Sequence, residues 1–564
     1  MTDLELREHI LRRWTRLKIE REPYIPQWLA ISQQITPASG RFFETDEKNR
    51  GRERWNRIYN NCAVRAANIL QAGLMSGLSD PSTQWFSLTS GSPDLDERQE
   101  VKVWLDQVQR ILEMAFTRTN VYQALQHIWR EVGAFGVTAC AVIEDDEYGF
   151  VCYPLCCGEY CIACDYRGIP DTLYRRFTMT AIQLVERFGR SKVSKSVLEK
   201  YDAGAYDEEF RVIHAIEPRE FRDRSKVDAE NMAWRGVLLQ VEADEMSAGI
   251  LEETGYHEFP AIVGRWGASA SDVYSEESPG MVAIGDTREL QHSVLQKGNA
   301  IDLQVNPPLI LPVSARESEM DFLPGGRSYI DSPGQKDQVQ TAWAVNLNLN
   351  DLRQDMAEVQ QRIERAFYVD LFLMFQGRTQ NMTATEVAQR SSEKLMMLGP
   401  VLSRLTNEIL KPLIERAFNI LYRKGHFPPA PQELAGQVLN IEYTSMLARS
   451  QRAIRANAID EFMQRVMTVA QVNPQVVSKL NVLELVDEYA DCYSVAPSIV
   501  VPSDEAQAQI EAQQQAQAQQ AQAQQGLQAV DALSKLGRVP AGQETMAGQA
   551  VQGISDAAQQ SSQE

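Results

Sequence analysis

The chain has 564 residues, of which 44% are apolar and 23% charged, a globular composition that excludes wholesale disorder and suffices for about three to five structural units. Its 56 lysines and arginines against 76 aspartates and glutamates leave a net charge of −20 and a pI near 5.0. That balance excludes a protein that grips nucleic acid along its whole surface, but not one that lets DNA slide past.

The first ten residues carry four charged side chains, so no secretory signal is expected. The longest largely apolar run, Val132 to Ile143, has 12 residues, short of the roughly 20 that a membrane helix needs. The chain is therefore expected to be soluble, made in a cytoplasm and without a membrane partner. The eight cysteines are expected as free thiols unless they bind metal.

In chain order, residues 1–35 read as helix, with Leu4, Ile10, Leu11, Trp14, Leu17 and Ile19 on a charged background and breaks at Pro23 and Pro26. A second helix, Asn61 to Leu78, carries Ala63, Ala66, Ala67, Leu70, Leu74 and Leu78 at helical spacing and stops at Asp80-Pro81. A third carries Val103, Val108, Ile111, Leu112 and Phe116, and a fourth Leu125, Ile128, Trp129 and Val132. From Gly136 to about Ile262 the runs Val137–Ile143, Gly149–Tyr153, Phe210–Ile216 and Gly236–Val241 predict strands, interrupted by a helix at Thr180–Phe188. This is an α+β region in which a sheet packs on helices.

A long helix follows from Gly280 to about Gln304, marked by Leu290, Val294, Leu295 and Ile301 and ended by Asn306-Pro307-Pro308. A Gly/Pro/Ser-rich interval to about Val345 separates it from a second long helix, Asp351 to Phe375, with the stripe Leu352, Met356, Val359, Ile363, Phe367, Leu371 and Met374. Each spans roughly 35–38 Å, so two long helices flank a compact insertion. The polar loop Gln376, Gly377, Arg378, Thr379, Gln380, Asn381, Met382 comes next. A capping box at Thr383-Ala384-Thr385-Glu386 then starts a helix through Leu421, with kinks expected at Gly399-Pro400 and Lys411-Pro412. Further helices are predicted over Leu447–Val472 and Val476–Tyr489. From Glu505 to Gln525, 11 Gln and 7 Ala fill 18 of 21 positions. This segment is either a polar disordered tail or a helix that packs against its copies in other subunits.

Motifs for chemistry are mostly absent. The sequence has no phosphate-binding G-x-x-x-x-G-K-[ST], no H-E-x-x-H, no G-x-S-x-G and no G-x-G-x-x-G after a strand, which disfavours a nucleotide-driven motor, a zinc protease and a serine hydrolase. Cys152, Cys156, Cys157, Cys161 and Cys164 put five thiols in 13 residues. They read as small buried side chains, with tetrahedral zinc as the alternative. His9, His127, His214, His257, His292 and His426 share no spacing with a nucleophile, and Glu144-Asp145-Asp146-Glu147 reads as a solvated turn. No catalytic residue and no cofactor are expected.

The order of these pieces resembles the portal protein, or head-to-tail connector, of short-tailed bacteriophages. The resemblance covers roughly residues 5–450. It rests on Glu22-Pro23-Tyr24, the Ala63–Leu78 helix followed by Trp85-Phe86, Gly133-Ala134-Phe135-Gly136, Pro260-Ala261-Ile262-Val263-Gly264-Arg265-Trp266, Tyr274 through Ser278-Pro279-Gly280, Leu290, and the polar loop with its Thr383–Val387 restart. It implies a non-enzymatic ring, usually dodecameric, at one capsid vertex of the virion. The fold implied is mainly helical α+β: a wing (1–278), stem helices (279–304 and 346–375) around a clip (305–345), a tunnel loop (376–382), a kinked connecting helix (383–446), a crown (447–502) and a helical barrel or tail (503–564). The implied partners are double-stranded DNA in the channel, a terminase large subunit and tail adaptors at the clip, and major capsid and scaffolding proteins. Arg316, Glu317, Glu319 and Arg327 are the clip candidates and residues 376–382 the DNA-facing ones. A conduit must not hold DNA, and a net −20 per chain suits that role. The alternative function is a zinc-stabilised virion scaffold or binding protein built on the cysteine cluster.

Overall fold

A computed structural model describes residues 2–42, 54–92, 95, 98–226, 228–243, 248–269, 271–305, 309–310, 340–341, 349–373, 398–434, 440–443, 446–471, 480–493, 499–501 and 506–519. The chain divides into two compact units, Met1–Arg455 and Ala456–Glu564.

The first unit opens with α1 (Asp3–Arg21), whose Thr2 and Glu5 form a capping box and whose Leu6, Ile10, Trp14 and Leu17 fall on one buried face. Pro23 sits in a single 3₁₀ turn, Glu22–Tyr24, and Pro26 in the first turn of α2 (Ile25–Gln34), where a missing N–H costs nothing. Next comes α3 (Cys62–Leu78), which buries the six residues that the spacing predicts. Strand β1 (Phe86–Thr89) precedes α4 (Gln99–Arg118), which buries Trp104, Leu105, Val108, Leu112 and Phe116. Val103 and Ile111 lie only half-buried, at the edge of that stripe. The fourth predicted helix is α5 (Val121–Phe135), with Leu125, Ile128, Trp129 and Val132 buried. Gly136, at φ 77°, ends it in the left-handed region that glycine adopts without penalty.

Eight strands follow: β2 (Val137–Asp145), β3 (Gly149–Leu155), β4 (Tyr160–Cys164), β5 (Pro170–Thr180), β6 (Glu209–Pro218), β7 (Trp234–Gln240), β8 (Ile250–Tyr256) and β9 (Ala261–Arg265). Helices α6 (Ala181–Phe188) and α7 (Lys195–Asp202) lie between β5 and β6. They make two antiparallel sheets rather than one, in the orders β3-β2-β9 and β4-β5-β6-β7-β8. Strand alternation gives the larger sheet two cores. Ile213 and Ala215 meet Ile10 and Trp14 of α1, whereas Phe210 and Val212 meet Leu184 of α6 and Val197 of α7.

Beyond the sheets, α8 (Pro279–Val305) is the first long helix. Strands β10 (Leu309–Ile310) and β11 (Gln340–Thr341) pair antiparallel, which brings the two ends of the insertion together. The second long helix is shorter than the stripe predicts: α9 (Leu349–Ala366) stops, Tyr368 takes φ 55°, and α10 (Val369–Leu373) resumes. Helical residues 398–405 then enter a π turn, Thr406–Leu410, and α11 (Lys411–Arg423). The irregularity thus lies N-terminal to Pro412. Pro412 has no N–H for the Glu408 carbonyl, and Lys411 N–H reaches back five residues to Thr406 O. The predicted connecting helix does not reach 446. Strand β12 (Asn440–Tyr443) follows and pairs with β1 in the register Phe86↔Tyr443, a contact that no local pattern announced.

One apolar core joins α2–α5, the smaller sheet, the first half of α8, α9–α10 and α11. Helix α12 (Met446–Ala470) leads into the second unit, which contains α13 (Val482–Tyr493) and helical residues 506–519, nearly all exposed. Helix α13 begins later than predicted, and the Tyr489 hydroxyl donates to Asp460 at 2.5 Å. Among the described residues no helix is long and apolar enough to cross a membrane.

Glu217 on β6 knits α1 to the larger sheet. It accepts from Tyr174 Oη (2.7 Å) and Arg235 Nε (2.8 Å), with His9 at 3.1 Å and Arg13 at 3.4 Å. Burial pushes its carboxyl up, but Tyr174, Arg235 and His9 outweigh this and hold it below its ordinary 4.5. A depressed folded-state value stabilises the fold above the unfolded value and loses that contribution as pH falls through the folded one. Glu217→Gln is expected to cost roughly 1.5–3 kcal/mol at pH 7 and to make the loss of stability below pH 4.5 shallower. Urea midpoints from pH 7 to 3 measure both effects.

Candidate functional site

The residues behind the resemblance converge at the base of the α8–α9 hairpin, within the first unit. Ser278 caps α8: its Oγ accepts from Met281 N–H (3.1 Å) and donates to Ala134 O at the end of α5 (3.0 Å). Pro279 opens the helix, and Gly280 lies so close to α5 that a Cβ there would sit 2.1 Å from Ala134 O. Trp28 Nε1 donates to Phe135 O (3.1 Å), and Trp266 N–H to Gly136 O (2.9 Å). Tyr274 packs against Tyr24 and Trp28 with ring centroids 5.3 and 5.5 Å away. Glu22-Pro23-Tyr24, Gly133–Gly136, Trp266 and Tyr274–Gly280 therefore form one joint.

The end of β9 extends this joint to both flanks of residues 374–397. Trp266 stacks on Tyr368 (6.4 Å between centroids, 28° between planes), where α9 breaks. Beyond the break, Phe372 of α10 fills the notch over Gly73 of α3, a position where a Cβ would come within 2.1 Å of the ring. The preceding residue, Arg265, holds the returning chain. Its backbone N–H donates to Glu408 Oε2 (2.9 Å) and its Nη2 to Glu408 Oε1 (2.8 Å), while further donors reach Asp272 O (2.9 Å) and Gly168 O (2.8 Å). Arg265 is 3% exposed, and Glu408 lies in the π turn. Sequence reasoning missed this pair. Pro412 gave the only signal, that the helix around Glu408 is irregular.

The profile of the family described as bacteriophage head to tail connecting protein matches residues 7–501. The chain belongs to that family. It is 43% identical over 541 residues to the probable portal protein of Bordetella phage BPP-1, covering 96% of this chain and 97% of that one. It is also 36% identical over 502 residues to the portal protein of Salmonella phage epsilon15, covering 89% and 90%. The role of this connector is that of a viral portal.

In the connector, the predicted DNA-facing residues Gln376, Gly377, Arg378, Thr379, Gln380, Asn381 and Met382 lie outside the described residues. So do the clip candidates Arg316, Glu317, Glu319 and Arg327. The cysteines are free thiols that the strands disperse. Cys152 and Cys157 lie in the main core and Cys161 lies in the core under α1. Cys164 lies 3.6 Å from Arg265 Nη1. Burial pushes the Cys156 and Cys161 thiols up, to about 12 and about 11, away from the thiolate that zinc needs. Among the described residues no three His, Cys, Asp or Glu side chains gather to hold a metal. Nothing in the structure supports the zinc-stabilised scaffold.

Three of the histidines have structural partners: His9 meets Glu217, His127 Leu155 O, and His214 Arg175 Nε (3.2 Å). Burial, then Arg175 and Arg187, push His214 well below its ordinary value, so it stays neutral. In the acidic turn, Asp145 Oδ1 accepts from Glu147 and Tyr148 N–H, and Glu144 pairs with Arg423 (2.7 Å).

Removing one partner of a buried ion pair strands the other. Glu408→Gln is expected to lower unfolding stability by about 3–5 kcal/mol, whereas Arg265→Met combined with Glu408→Leu recovers most of the loss. Urea unfolding followed by tryptophan fluorescence tests both.

Proposed function

We propose that copies of this connector close into a dodecameric ring at one capsid vertex, through which double-stranded DNA is packaged, retained and ejected. The observation that carries this reading is the distal stem. The buried residues of α8 all lie between Pro279 and Gln291, and beyond them Leu295, Ile301, Leu303 and Val305 face solvent. On α9, likewise, Val359 and Ile363 are buried while Leu352 and Met356, farther from the joint, are only half-covered. Apolar side chains left open along the distal half of the hairpin call for a neighbour, and head-to-tail contacts that close satisfy every copy.

The remaining assignments rest on the family. The insertion between β10 and β11 acts as the clip that meets a terminase large subunit during packaging and tail adaptors afterwards. Residues 376–382 face the DNA, and capsid and scaffolding proteins surround the ring. The connector works without catalysis of its own, and its net charge of −20 keeps phosphate contacts sparse, so that DNA slides.

Light scattering and negative-stain microscopy of the full chain are expected to find rings of twelve times the 63.6 kDa chain mass. Leu295→Glu with Ile301→Glu is expected to shift the mass to that of single chains with an unchanged far-ultraviolet spectrum; rings at wild-type yield would remove the stem from assembly. Arg378→Ala with Asn381→Ala is expected to leave ring mass unchanged and to reduce retained DNA in assembled particles severalfold. Loss of rings in that variant would assign the loop to assembly instead.

A further inference from the structure

The connector's role leaves one cavity of the first unit unexplained. Successive residues of a strand point to opposite faces of the sheet, so Arg175, Phe177 and Met179 of β5 share the face that α6 and α7 cover at Met179, Phe210 and Val212. At the other end of that face Arg175 stands opposite His214 of β6, and the two help to floor a cavity of about 850 Å³. Its walls include Phe177, Tyr153 of β3, Tyr256 of β8 and the end of α11 at Arg423 and Lys424.

Two side chains on this floor hold donors that the protein does not use. Arg175 Nε donates to His214 Nδ1 (3.2 Å), and the guanidinium lies over the rings of Phe177 (4.8 Å to the centroid) and Tyr153 (5.8 Å). Among the described residues neither terminal nitrogen of Arg175 meets an acceptor, and no ion pair includes it. The carboxylate that acts on it most, Glu159, is engaged by Arg41. Because Nδ1 accepts, neutral His214 carries its proton on Nε2, which has no described acceptor either. All three nitrogens open on accessible space rather than on packed atoms. The other charges of the lining have their own partners: Arg187 lies 3.6 Å from Glu252, Arg423 2.7 Å from Glu144 and Lys424 3.9 Å from Asp146.

Burial is the largest influence on Arg175 and pushes it below its ordinary value, so the site holds a cation at a cost. A methionine would fill the same space without that cost, and packing alone therefore does not account for an arginine here. Stacking on rings leaves the guanidinium donors in their plane, with the edge between the two terminal nitrogens presented as a fork. That fork and one imidazole N–H match the two oxygens of a carboxylate, whose single charge balances one guanidinium beside a neutral histidine. The volume falls within the roughly 300–1,000 Å³ of small-molecule sites, and aromatic walls with a few placed polar groups are their usual lining.

We propose that this cavity binds a small organic carboxylate, its oxygens taken by the Arg175 fork and His214 Nε2 and its apolar body laid against Tyr153, Phe177 and Tyr256. The bound molecule touches both sheets, the smaller through Tyr153 and the larger through Arg175, and so ties them together. A phosphate dianion is disfavoured because it leaves one negative charge unmatched.

The test is equilibrium dialysis of the full chain against radiolabelled phenylacetate at constant ionic strength, with sodium chloride as balance. The expected result is saturable binding of one phenylacetate per chain, weakened about tenfold or more by Arg175→Met and about threefold by Tyr153→Ala, a change at a half-exposed position. Phenylacetamide, which has the same body without the charge, is expected to compete about tenfold less well or worse. Without ligand, Arg175→Met is expected to melt no lower than the wild type, because it removes an unpaired cation. Absence of saturable binding in the wild type, undiminished binding by Arg175→Met, or equal competition by the amide overturns the proposal. A melting temperature several degrees lower in Arg175→Met assigns the arginine to packing and overturns it as well. Phosphate competing better than phenylacetate overturns the carboxylate assignment, and acetate competing equally overturns the apolar body.

Discussion

Two adjacent residues at the end of one short strand hold the parts of this connector together. Arg265 and Trp266 leave β9 pointing to opposite sides, as successive strand residues do, and each takes one flank of residues 374–397: Trp266 through Tyr368, Arg265 through Glu408. Because β9 pairs with β2, in register Val137↔Arg265, both flanks refer to the same sheet. A displacement of the sheet edge therefore moves the outgoing and returning chain together.

The α8–α9 hairpin depends on the same joint through a different kind of contact. Gly280 lets α8 touch the α5 backbone directly, and Ser278 fixes the direction of departure by bonding both its own helix and Ala134 O. Near the root, α8 and α9 are held by burial. On the outer side of the same stretch they are also linked by ion pairs of Arg362 with Asp286 (3.1 Å) and Glu289 (2.8 Å), which are half-exposed and contribute little to stability. A hairpin firm at its root and weakly self-sufficient at its tip is stabilised best by other copies of itself, which is why the exposed Leu295 and Ile301 weigh more than the polar surface around them.

How legible each part was in the sequence follows from the range of the forces that fix it. The face of α3 was readable residue by residue, because a helix stripe is set by neighbours three and four positions away. The extent of α8 was readable because Ser278-Pro279 and Asn306-Pro307 bracket it. The break at Tyr368 was not: a tyrosine in the left-handed region carries no local signal, and stacking on Trp266, distant in the chain, fixes it there. The β1–β12 pair and the division of the strands into two sheets are likewise set by partners far apart in sequence. The cysteine cluster misleads for a related reason. Spacing along the chain suggests shared ligation, but alternation along β3 and β4, with the turn between them, sends the thiols into different cores. Of the candidate site, the anchors were legible as quoted motifs, but their convergence was not.

Three buried arginines of the first unit satisfy carbonyls at turns and along the strand ladders. Arg265 satisfies the carbonyls of Asp272 and Gly168, Arg416 that of Val142 (3.4 Å) while pairing with Glu258, and Arg21 those of Gly158 and Tyr160. Turn and strand-end carbonyls removed from water need donors, and a guanidinium offers five in a fixed plane. An apolar side chain would bury comparable area but leave those oxygens unpaired and the loops free to choose among packings. The arginines thus exchange some net stability, through desolvation, for a single geometry at the sheet ends. In a protein whose copies must meet identically around a closed ring, that geometry matters more than the energy it costs, because every error in one joint is repeated at each interface.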